Sequence, residues 1–486
     1  MAQLFDIIII GCGFSGLAMG LQLQRAGDYQ FLILEKSERP GGTWRDNHYP
    51  GCECDVPSHL YSLSGHPKDD WECVYAGYQE ILTYFDEKCD QLAQQIRVSA
   101  KVQEARFNLE ENDWQITLDS GEVLRSRYLV ASPGPLNLPH IPDIPGLDSF
   151  TGKWFHSMDW PDQFELAGKR VTVIGTGASA IQIVPAISTQ VSELTIVQRS
   201  APWVIKKGNR RYSHLEKWCF KNIPGWRSIY RSFLYIAQET RGLAFLSPML
   251  MGLAELLAKR SLNRQIRDTE LKNALTPDYR MGCKRIMLSD DYLSTLQLNH
   301  VKLISSSVSG ITPTGFLTED GHEHDAECLI FATGFHHQER WHALPLYGRH
   351  GVALTDHWKR RQGAYLGTMV DDFPNLFLML GPNTGLGHNS ILFMAEAQVH
   401  WIVQAIHHAR RQLGNYLCLS LNAADEFSRE MQSRASHTVW ATGCKSWYLN
   451  EEGHNTALWP GLSLEFWWRT RRFNPAHFES SPCVPS

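Results

Sequence analysis

An apolar run followed by a glycine-rich turn near the start of the chain restricts the fold more than any other feature. Residues 5–10 are apolar except for Asp6, which is typical of a parallel strand covered on both faces. The turn after it has the spacing G-x-G-x-x-G, and a helical pattern follows over 17–27. Such glycines permit a tight turn and close approach of the backbone to a pyrophosphate, while the helix N-terminus offers free N–H groups. We therefore predict a Rossmann-type unit whose turn contacts a dinucleotide through Gly11, Gly13, Phe14, Ser15 and Gly16.

A second apolar strand, residues 31–34, ends in Glu35, about 20 residues beyond the glycines. A carboxylate in this position can accept hydrogen bonds from ribose hydroxyls. Strand, glycines, helix, strand and acid occur together here, so the pattern is far more specific than a glycine motif alone. Glu35 is accordingly a predicted ribose ligand.

A second unit of the same kind begins in the middle of the chain. Residues 169–174 are predicted to form a strand, and the turn after it reads G-x-G-x-x-A, with predicted contacts from Thr176, Gly177, Ala178 and Ser179. The next strand, residues 194–197, leads to Arg199 and Ser200 instead of an acid. A guanidinium there can bind a ribose phosphate that a carboxylate would repel. The pattern favours NADPH over NADH, although a solvated arginine at a strand end is the alternative.

Length and charge limit the classes of protein to consider. A chain of 486 residues predicts two to four domains, which is large enough for an enzyme. The net charge of -5 comes from 46 basic and 51 acidic residues without a long run of one sign, so bulk charge predicts no binding to nucleic acid or anionic lipid. Asp6 interrupts the first apolar run, which argues against a signal peptide. Eleven cysteines without a C-x-x-C pair are expected to be reduced thiols, and we expect a cytoplasmic protein.

Two connecting segments carry more specific patterns. Residues 150–161 have the spacing F-x-G-x-x-x-H-x-x-x-W-P, directly ahead of the second Rossmann unit. Residues 41–55 match G-G-x-W-x-x-x-x-Y-P-G-x-x-x-D at every fixed position. In both patterns the chain resembles the Baeyer-Villiger monooxygenases, a family of flavoproteins, and the resemblance extends over nearly the whole chain.

The resemblance implies an α/β fold with two Rossmann-like dinucleotide-binding domains, one for FAD and one for NADPH. The expected divisions are 1–150 and 370–486 for the two parts of the FAD domain and 151–369 for the NADPH domain, with a helical insertion at about 201–280. In the implied reaction NADPH reduces FAD, dioxygen adds to the reduced flavin as a peroxide, and the peroxide converts a ketone to an ester or lactone. Two alternatives stay open: a flavin monooxygenase that oxygenates amine nitrogen or sulfide sulfur, and a nucleotide-binding redox sensor without turnover.

By the same resemblance Arg285 and Asp55 are the catalytic pair. Arg285 would reach the reactive face of the flavin and stabilise oxyanions, and Asp55 would orient it. Lys284 would join Arg199 at the ribose phosphate, and Trp447 would contact nicotinamide from a mobile segment over 444–461. The remaining candidates for flavin contacts are Trp44, Tyr61, Val102, Asn383 and Asn389.

The chain departs from the family pattern in two places. His48 stands where many relatives have arginine, and Ser132 begins a Ser-Pro-Gly sequence where relatives often have Ala-Thr-Gly. Cys52 and Cys54 have one residue between them, which is poor geometry for a disulfide, so we do not expect a redox-active pair.

The helical insertion has two interpretations, as a wall of the substrate chamber or as helices packed on the surface. Its most apolar part, residues 245–258, is interrupted by Pro248 and is too short to span a bilayer. Contact with a membrane surface is a further alternative.

Overall fold

The structure is a computed structural model, and it describes residues 3–337, 339–411, 416–443, 446–450 and 452–479. The first part of the chain contains β1 (Leu4–Ile10), α1 (Phe14–Ala26), β2 (Phe31–Leu34), α2 (Thr43–Asp46), α3 (Tyr78–Cys89), β3 (Ile96–Arg97), β4 (Val102–Asn108), β5 (Asp113–Leu118) and β6 (Val123–Ala131).

The central part contains two Rossmann strands, a helical insertion and the strands that return from it. Its elements are β7 (Lys153–His156), β8 (Arg170–Ile174), α4 (Ala180–Ile187), β9 (Glu193–Val197), β10 (Val204–Ile205), α5 (His214–Asn222), α6 (Trp226–Leu246), α7 (Pro248–Gln265), α8 (Thr269–Ala274), β11 (Met287–Leu288), α9 (Tyr292–Thr295), β12 (Val301–Ile304), β13 (Val308–Thr312), β14 (Gly315–Thr318), β15 (Glu323–Asp325), β16 (Cys328–Phe331), β17 (Leu346–Tyr347) and α10 (Leu354–Arg360). The last part contains β18 (Leu376–Leu378), α11 (Ile391–Arg411), β19 (Cys418–Leu419), α12 (Leu421–Ala435), α13 (Ser463–Thr470) and β20 (Phe478–Glu479).

The first sheet has the order β17-β4-β5-β6-β1-β2-β3, and β18 also pairs with β6. Strand β1 lies parallel to β2 and β6 in its centre, and Ile7, Ile8 and Ile9 are fully buried, as expected for a strand covered on both faces. Apolar and polar residues alternate over 98–130, which predicts a small antiparallel insert. Strands β4, β5 and β6 form this insert. Because β17 pairs with β4, the chain has returned to this sheet by residue 346, ahead of the division at 370 expected from the sequence.

The second sheet is parallel, with the order β12-β9-β8-β16-β7. Because the strands are parallel, the glycine turn that follows β8 lies at the carboxyl edge of the sheet, which is where ligands bind in open α/β sheets. Helices α5 to α8 interrupt the chain between β10 and β11, so the predicted helical insertion is confirmed. Within the described part of the chain, no single helix has the length and apolar composition needed to cross a membrane, although α6 and α7 meet that test together with a 109° bend between them.

Candidate functional site

The first glycine turn is closed by backbone contacts that exclude side chains. Gly11 has φ +97, and a Cβ there would lie 2.3 Å from the carbonyl oxygen of Ser132. A Cβ on Gly16 would lie 2.0 Å from the Gly11 oxygen, so helix α1 can start here only with glycine. Ser132, one of the two departures from the family pattern, therefore contacts the turn through its backbone. Ser15 lies in the first turn of α1, as the dinucleotide interpretation requires.

Glu35 is oriented toward this turn. Its buried carboxylate accepts hydrogen bonds from the Cys12 N–H at 2.9 Å and the Ser37 N–H at 3.0 Å, and it pairs with Arg45 at 3.1 Å. These contacts fix the side chain beside the glycines. The predicted contact with ribose stays a prediction.

Three aromatic side chains from separate segments meet beside the turn. Trp44 Nε1 donates to the Tyr61 hydroxyl at 3.0 Å, and the Phe14 ring lies edge-on to Tyr61 with centroids 5.6 Å apart. The loop that carries Trp44 is held against the turn, because the Gly41 N–H donates to the Cys12 carbonyl at 3.0 Å. Val102 is buried at the start of β4.

The second turn is joined to the Lys284 segment. Thr176 Oγ1 donates to the Ser200 carbonyl at 3.3 Å, and Lys284 Nζ donates to Ser200 Oγ at 3.2 Å. Burial and the nearby charge of Arg199 lower the pKa of Lys284. Among the described residues, neither cation has a carboxylate within ion-pair distance, although the charge of Asp278 partly offsets the lowering of the Lys284 pKa. The remaining members of the turn, Gly177, Ala178 and Ser179, lead into α4, and a Cβ on Gly177 would meet nothing within 4 Å.

Arg285 and Asp55 form an ion pair, although 230 residues separate them in the sequence. Arg285 Nη2 donates to Asp55 Oδ2, and the two side chains remain 44% and 30% exposed. Burial opposes ionisation of Asp55, but the charge and hydrogen bond of Arg285 lower its pKa overall. The Asp55 charge in turn raises the pKa of Arg285. The pair therefore holds an ionised guanidinium that is partly exposed.

Trp447 lies at the rim of this region and is 44% exposed. Its ring stacks on His337 with centroids 3.9 Å apart and an interplanar angle of 15°. Burial, together with the charges of Arg340 and Arg285, lowers the pKa of His337 to about 4, so the imidazole is neutral at pH 7. Of the segment predicted to be mobile, residues 444, 445 and 451 lie outside the described residues.

The connecting segment at 150–161 is an edge strand of the second sheet followed by a short turn. Its histidine, His156, is fully buried: Nδ1 accepts from the Met158 N–H at 3.1 Å and Nε2 lies 3.0 Å from the Gly334 carbonyl. Because Nδ1 accepts, the proton is on Nε2, which donates to Gly334. His48 Nε2 donates to the Trp160 carbonyl at 2.8 Å, so the residue that replaces arginine links the two patterned segments.

Contacts that the sequence does not indicate hold the 41–55 loop against the second domain. Lys207 Nζ, almost completely buried, donates to Glu53 Oε1 at 2.6 Å. Gln182 of α4 accepts from the Tyr49 hydroxyl at 3.0 Å and donates to the Glu53 carbonyl at 2.9 Å. No motif marks Lys207 or Gln182, since their roles depend on partners more than 100 residues away.

Two predicted flavin contacts have their amide groups bonded within the protein. Asn389 Nδ2 donates to Glu239 of α6 at 2.8 Å and to Ser463 Oγ at 3.2 Å. Asn383 Nδ2 donates to the Asn455 carbonyl at 2.9 Å. Both asparagines connect the glycine loop before α11 to other elements, and their contact with flavin stays a prediction.

Cysteine chemistry is mostly as expected. Cys52 and Cys54 are free and buried, and burial raises the pKa of both thiols, that of Cys52 to about 12, so neither is a reactive thiolate. The expectation of reduced thiols is wrong for Cys283, which is disulfide-bonded. Because the sequence contains no C-x-x-C pair, the spacing of the cysteines does not indicate this bond.

Comparisons with known proteins agree with this geometry. The chain matches a family model described as flavin-binding monooxygenase-like over residues 79–343 and a NAD(P)-binding Rossmann-like domain over 9–76. It is 39% identical to a Baeyer-Villiger monooxygenase of Streptomyces coelicolor, covering 97% of this chain and 92% of that protein. It is 38% identical to a Baeyer-Villiger monooxygenase of Pseudomonas aeruginosa, covering 98% and 92%.

Solved structures show the same architecture. A steroid monooxygenase bound to NADP has a TM-score of 0.87 at 28% identity, covering 96% of this chain and 97% of that one. A complex of OTEMO with FAD and NADP has a TM-score of 0.88 at 26% identity, covering 98% and 99%. With relatives this similar over nearly its full length, and with Asp55 of the 41–55 segment paired with Arg285, the chain belongs to the Baeyer-Villiger monooxygenase family of flavin-binding monooxygenases.

Proposed function

We propose that this protein is an NADPH- and FAD-dependent monooxygenase that inserts one oxygen atom of dioxygen next to a ketone carbonyl, giving an ester or lactone. The observation that carries the proposal is the Arg285–Asp55 pair, which presents a partly exposed, ionised guanidinium whose partner ends the 41–55 loop. Oxygen insertion places negative charge on oxygen atoms, and a preorganised cation is the group best suited to stabilise it.

The residues present fit both dinucleotides. For FAD, the turn from Gly11 to Gly16 at the start of α1 suits a pyrophosphate, and Glu35 lies beside it to meet ribose. For NADPH, the open space at Gly177 suits close approach of the second pyrophosphate, and the neighbouring cations Arg199 and Lys284 suit the ribose phosphate that NADH lacks. When bound, FAD that has been reduced by NADPH supplies the activated oxygen.

The protein's own residues then have separate roles. Arg285 holds positive charge where negative charge develops on the substrate oxygens, and Asp55 orients the guanidinium while keeping it ionised. Because both side chains are partly exposed, the pair has room to change position between the reductive and oxidative halves of the cycle. Trp447 and His337 cover one side of the cleft and reduce the access of water.

The proposal also assigns the domains and compartment. The FAD domain comprises 1–150 and 370–486 together with the edge strand β17, and the NADPH domain comprises the rest of 151–369. A cytoplasmic location fits the eight free cysteines among the described residues.

The deciding experiment is a panel of linear, cyclic, aromatic and steroidal ketones, with oxygen uptake, NADPH oxidation and product identification by mass spectrometry. We expect one ester or lactone per NADPH for at least one ketone class. Oxygenation confined to amines or sulfides would instead assign the protein to nitrogen or sulfur chemistry. NADPH-dependent flavin reduction without any oxygenated product would make it a redox sensor.

A further inference from the structure

The outer face of the α6–α7 hairpin is apolar where a globular surface is normally polar. On α6 the exposed side chains recur every three or four residues, and α7 continues the same pattern after the bend. We call this surface the hairpin face, and its members, each 44–80% exposed, are Trp226, Ile229, Phe233, Ile236, Leu243, Met249, Leu250, Leu253, Leu256 and Leu257.

The hairpin face is opposite the side that packs on the protein. Glu239 and Phe245 of α6 are buried, and the Glu239 carboxylate accepts hydrogen bonds from Asn389 and Ser463. Met251 of α7 lies against the Gly282 segment, where a Cβ would meet the Met251 methyl group at 2.8 Å. Since both helices are anchored through these inner residues, the fold does not need the outer apolar side chains for its own packing.

The charge around the hairpin face is strongly positive, in contrast to the rest of the chain. Residues 217–267 contain nine Lys or Arg and two Asp or Glu, a sequence charge of +7 in a protein of net charge -5, and Lys217 and Arg227 among them pair with Glu72 and Asp69, which leaves +5. Both acids are unavailable to a partner, because Glu239 is buried and Glu255 pairs with Lys259 at 2.9 Å. Exposed cations border the apolar side chains at Arg241, Arg260 and Arg264.

We propose that the hairpin face docks on the surface of a membrane that contains anionic lipid. Apolar side chains flanked by arginines match the acyl boundary and the headgroups of such a surface, and Trp226 has the amphipathic ring favoured at that depth. The hairpin lies on the bilayer and does not cross it, since α6 carries Arg231, Glu239 and Arg241 within its length. A second copy of the chain is a poorer occupant, because two faces that each have an excess of neighbouring cations repel each other. The whole-chain charge of -5 conceals this local excess.

The test is flotation of the FAD-loaded full-length protein with vesicles, first of phosphatidylcholine alone and then containing about 30% phosphatidylglycerol. We expect the protein to float with the anionic vesicles and to be released in part at about 0.5 M NaCl, where surface charges are screened. Absence of flotation with anionic vesicles would overturn the proposal.

Two variants, each with a matched control, separate the apolar and charged contributions. Combined Phe233→Ser, Leu253→Ser and Leu257→Ser should weaken vesicle binding at least about tenfold, because three exposed apolar side chains are lost. Combined Val123→Ser, Leu298→Ser and Leu421→Ser changes similarly exposed residues elsewhere and should leave binding unchanged. Arg260→Gln with Arg264→Gln should weaken binding to anionic vesicles, whereas Arg127→Gln with Arg429→Gln should not.

Flavin content and Tm show whether each variant is folded. Equal flotation of the hairpin variant and wild type would contradict the proposal even if both bind vesicles. Sedimentation of the free protein tests the other occupant: a dimer that the serine variant dissociates, without vesicle binding by wild type, would assign the face to a second copy.

Discussion

At the scale of single residues, the Arg285–Asp55 pair is the part of the site most directly tied to chemistry. Neither residue is remarkable in its local sequence, and an isolated Arg or Asp is most often a solvated side chain. The fold pairs them across 230 residues, and the pKa of Asp55 is lowered by the charge and hydrogen bond of Arg285.

Replacement of Arg285 by alanine should separate flavin reduction from oxygen insertion. We expect the variant to bind FAD and to oxidise NADPH, because hydride transfer needs no cation at this position. Its rate of ester formation should fall by about 100- to 1,000-fold, the usual cost of removing one preorganised donor from an oxyanion, with oxygen diverted to hydrogen peroxide. Stopped-flow flavin reduction beside ester and peroxide yields measures both steps.

Arg280→Ala is the matched control, since Arg280 lies five residues earlier, is 52% exposed and pairs with Glu255 instead of Asp55. It should retain ester yield. Arg285→Lys should restore little, because an ammonium on a flexible stem does not reproduce the planar guanidinium. Near wild-type ester yield in Arg285→Ala would remove Arg285 from the mechanism.

We predict that the preference for NADPH over NADH depends on Arg199 and Lys284. Arg199→Ala should weaken NADPH binding by about 1.5 to 3 kcal/mol, the contribution of a charge-assisted hydrogen bond, and leave NADH nearly unaffected. Titration of the reduced enzyme with NADP+ and NAD+ gives the two affinities, and Arg127→Ala serves as a distant control. Equal losses for both coenzymes would show that Arg199 acts structurally.

At the scale of elements, the connecting segment 150–161 is held in place by hydrogen bonds of His156 at the end of strand β7. Strand β7 pairs with β16 in parallel, opposite the residues that lead into Gly334, and His156 closes this end through its two ring nitrogens. Burial lowers the pKa of His156, so the neutral ring is the folded form.

This arrangement predicts a pH dependence of stability. The unfolded chain takes up a proton on His156 below about pH 6.5, whereas the folded chain does not, so the unfolded state binds more protons there. The contribution of the neutral His156 to the free energy of unfolding is fully present above about pH 6.5. It is lost as the pH falls toward the lowered pKa, and the free energy of unfolding then changes by at most about 1.4 kcal/mol per pH unit. Urea unfolding of wild type and His156→Gln between about pH 5 and 8 should show the steeper loss in wild type. Parallel curves would assign the titration to other buried histidines.

The 41–55 loop predicts a second effect on stability. Gly51 has φ +77, and a Cβ there would lie 2.6 Å from the Gln182 carbonyl of α4. Gly51→Ala should therefore cost about 1–3 kcal/mol and lower Tm. Gly121 is the matched control, because it has φ +82 but nothing within 4 Å of its Cβ position, so Gly121→Ala carries the backbone strain without the clash. Equal Tm shifts would show that the loop moves away from α4 without cost.

At the scale of the whole molecule, two sheets that each lead into a glycine turn are in contact through one loop. The first sheet is assembled from the beginning and the end of the chain, with β18 beside β6. The second sheet lies between them in sequence and touches the first through the 41–55 loop, where Lys207 and Gln182 contact Glu53. The same loop carries two predicted site residues, since Trp44 is a predicted flavin contact and Asp55 is the predicted orienting partner of Arg285.

Removal of FAD should lower Tm, because a ligand that binds only the folded state stabilises it by RT ln(1 + L/Kd), where L is the free ligand concentration. Addition of FAD to the stripped protein should restore the original Tm. FMN should restore little, since the first glycine turn and Glu35 are placed for the adenosine half that FMN lacks. Full restoration by FMN would show that the first turn does not bind the dinucleotide.

Much of the fold follows from local pattern. The strand–glycine–helix sequences at residues 5–27 and 169–187 predict two Rossmann units, because glycine spacing and apolar runs act through neighbouring residues. The antiparallel insert at 98–130 and the helical insertion follow for the same reason. The patterned segments identify the family, and with it Arg285 and Asp55 as candidates.

Other features depend on contacts between residues far apart in the chain. The division of the first sheet, which includes β17 from residue 346, could not be read from local pattern because a two-residue strand has no periodicity. Lys207, Gln182 and the hairpin face carry no motif, and the whole-chain charge concealed the cations that surround that face. Apolar periodicity shows that a helix has two faces, but only packing shows which face is covered, because burial is a property of the folded neighbours and not of the helix alone.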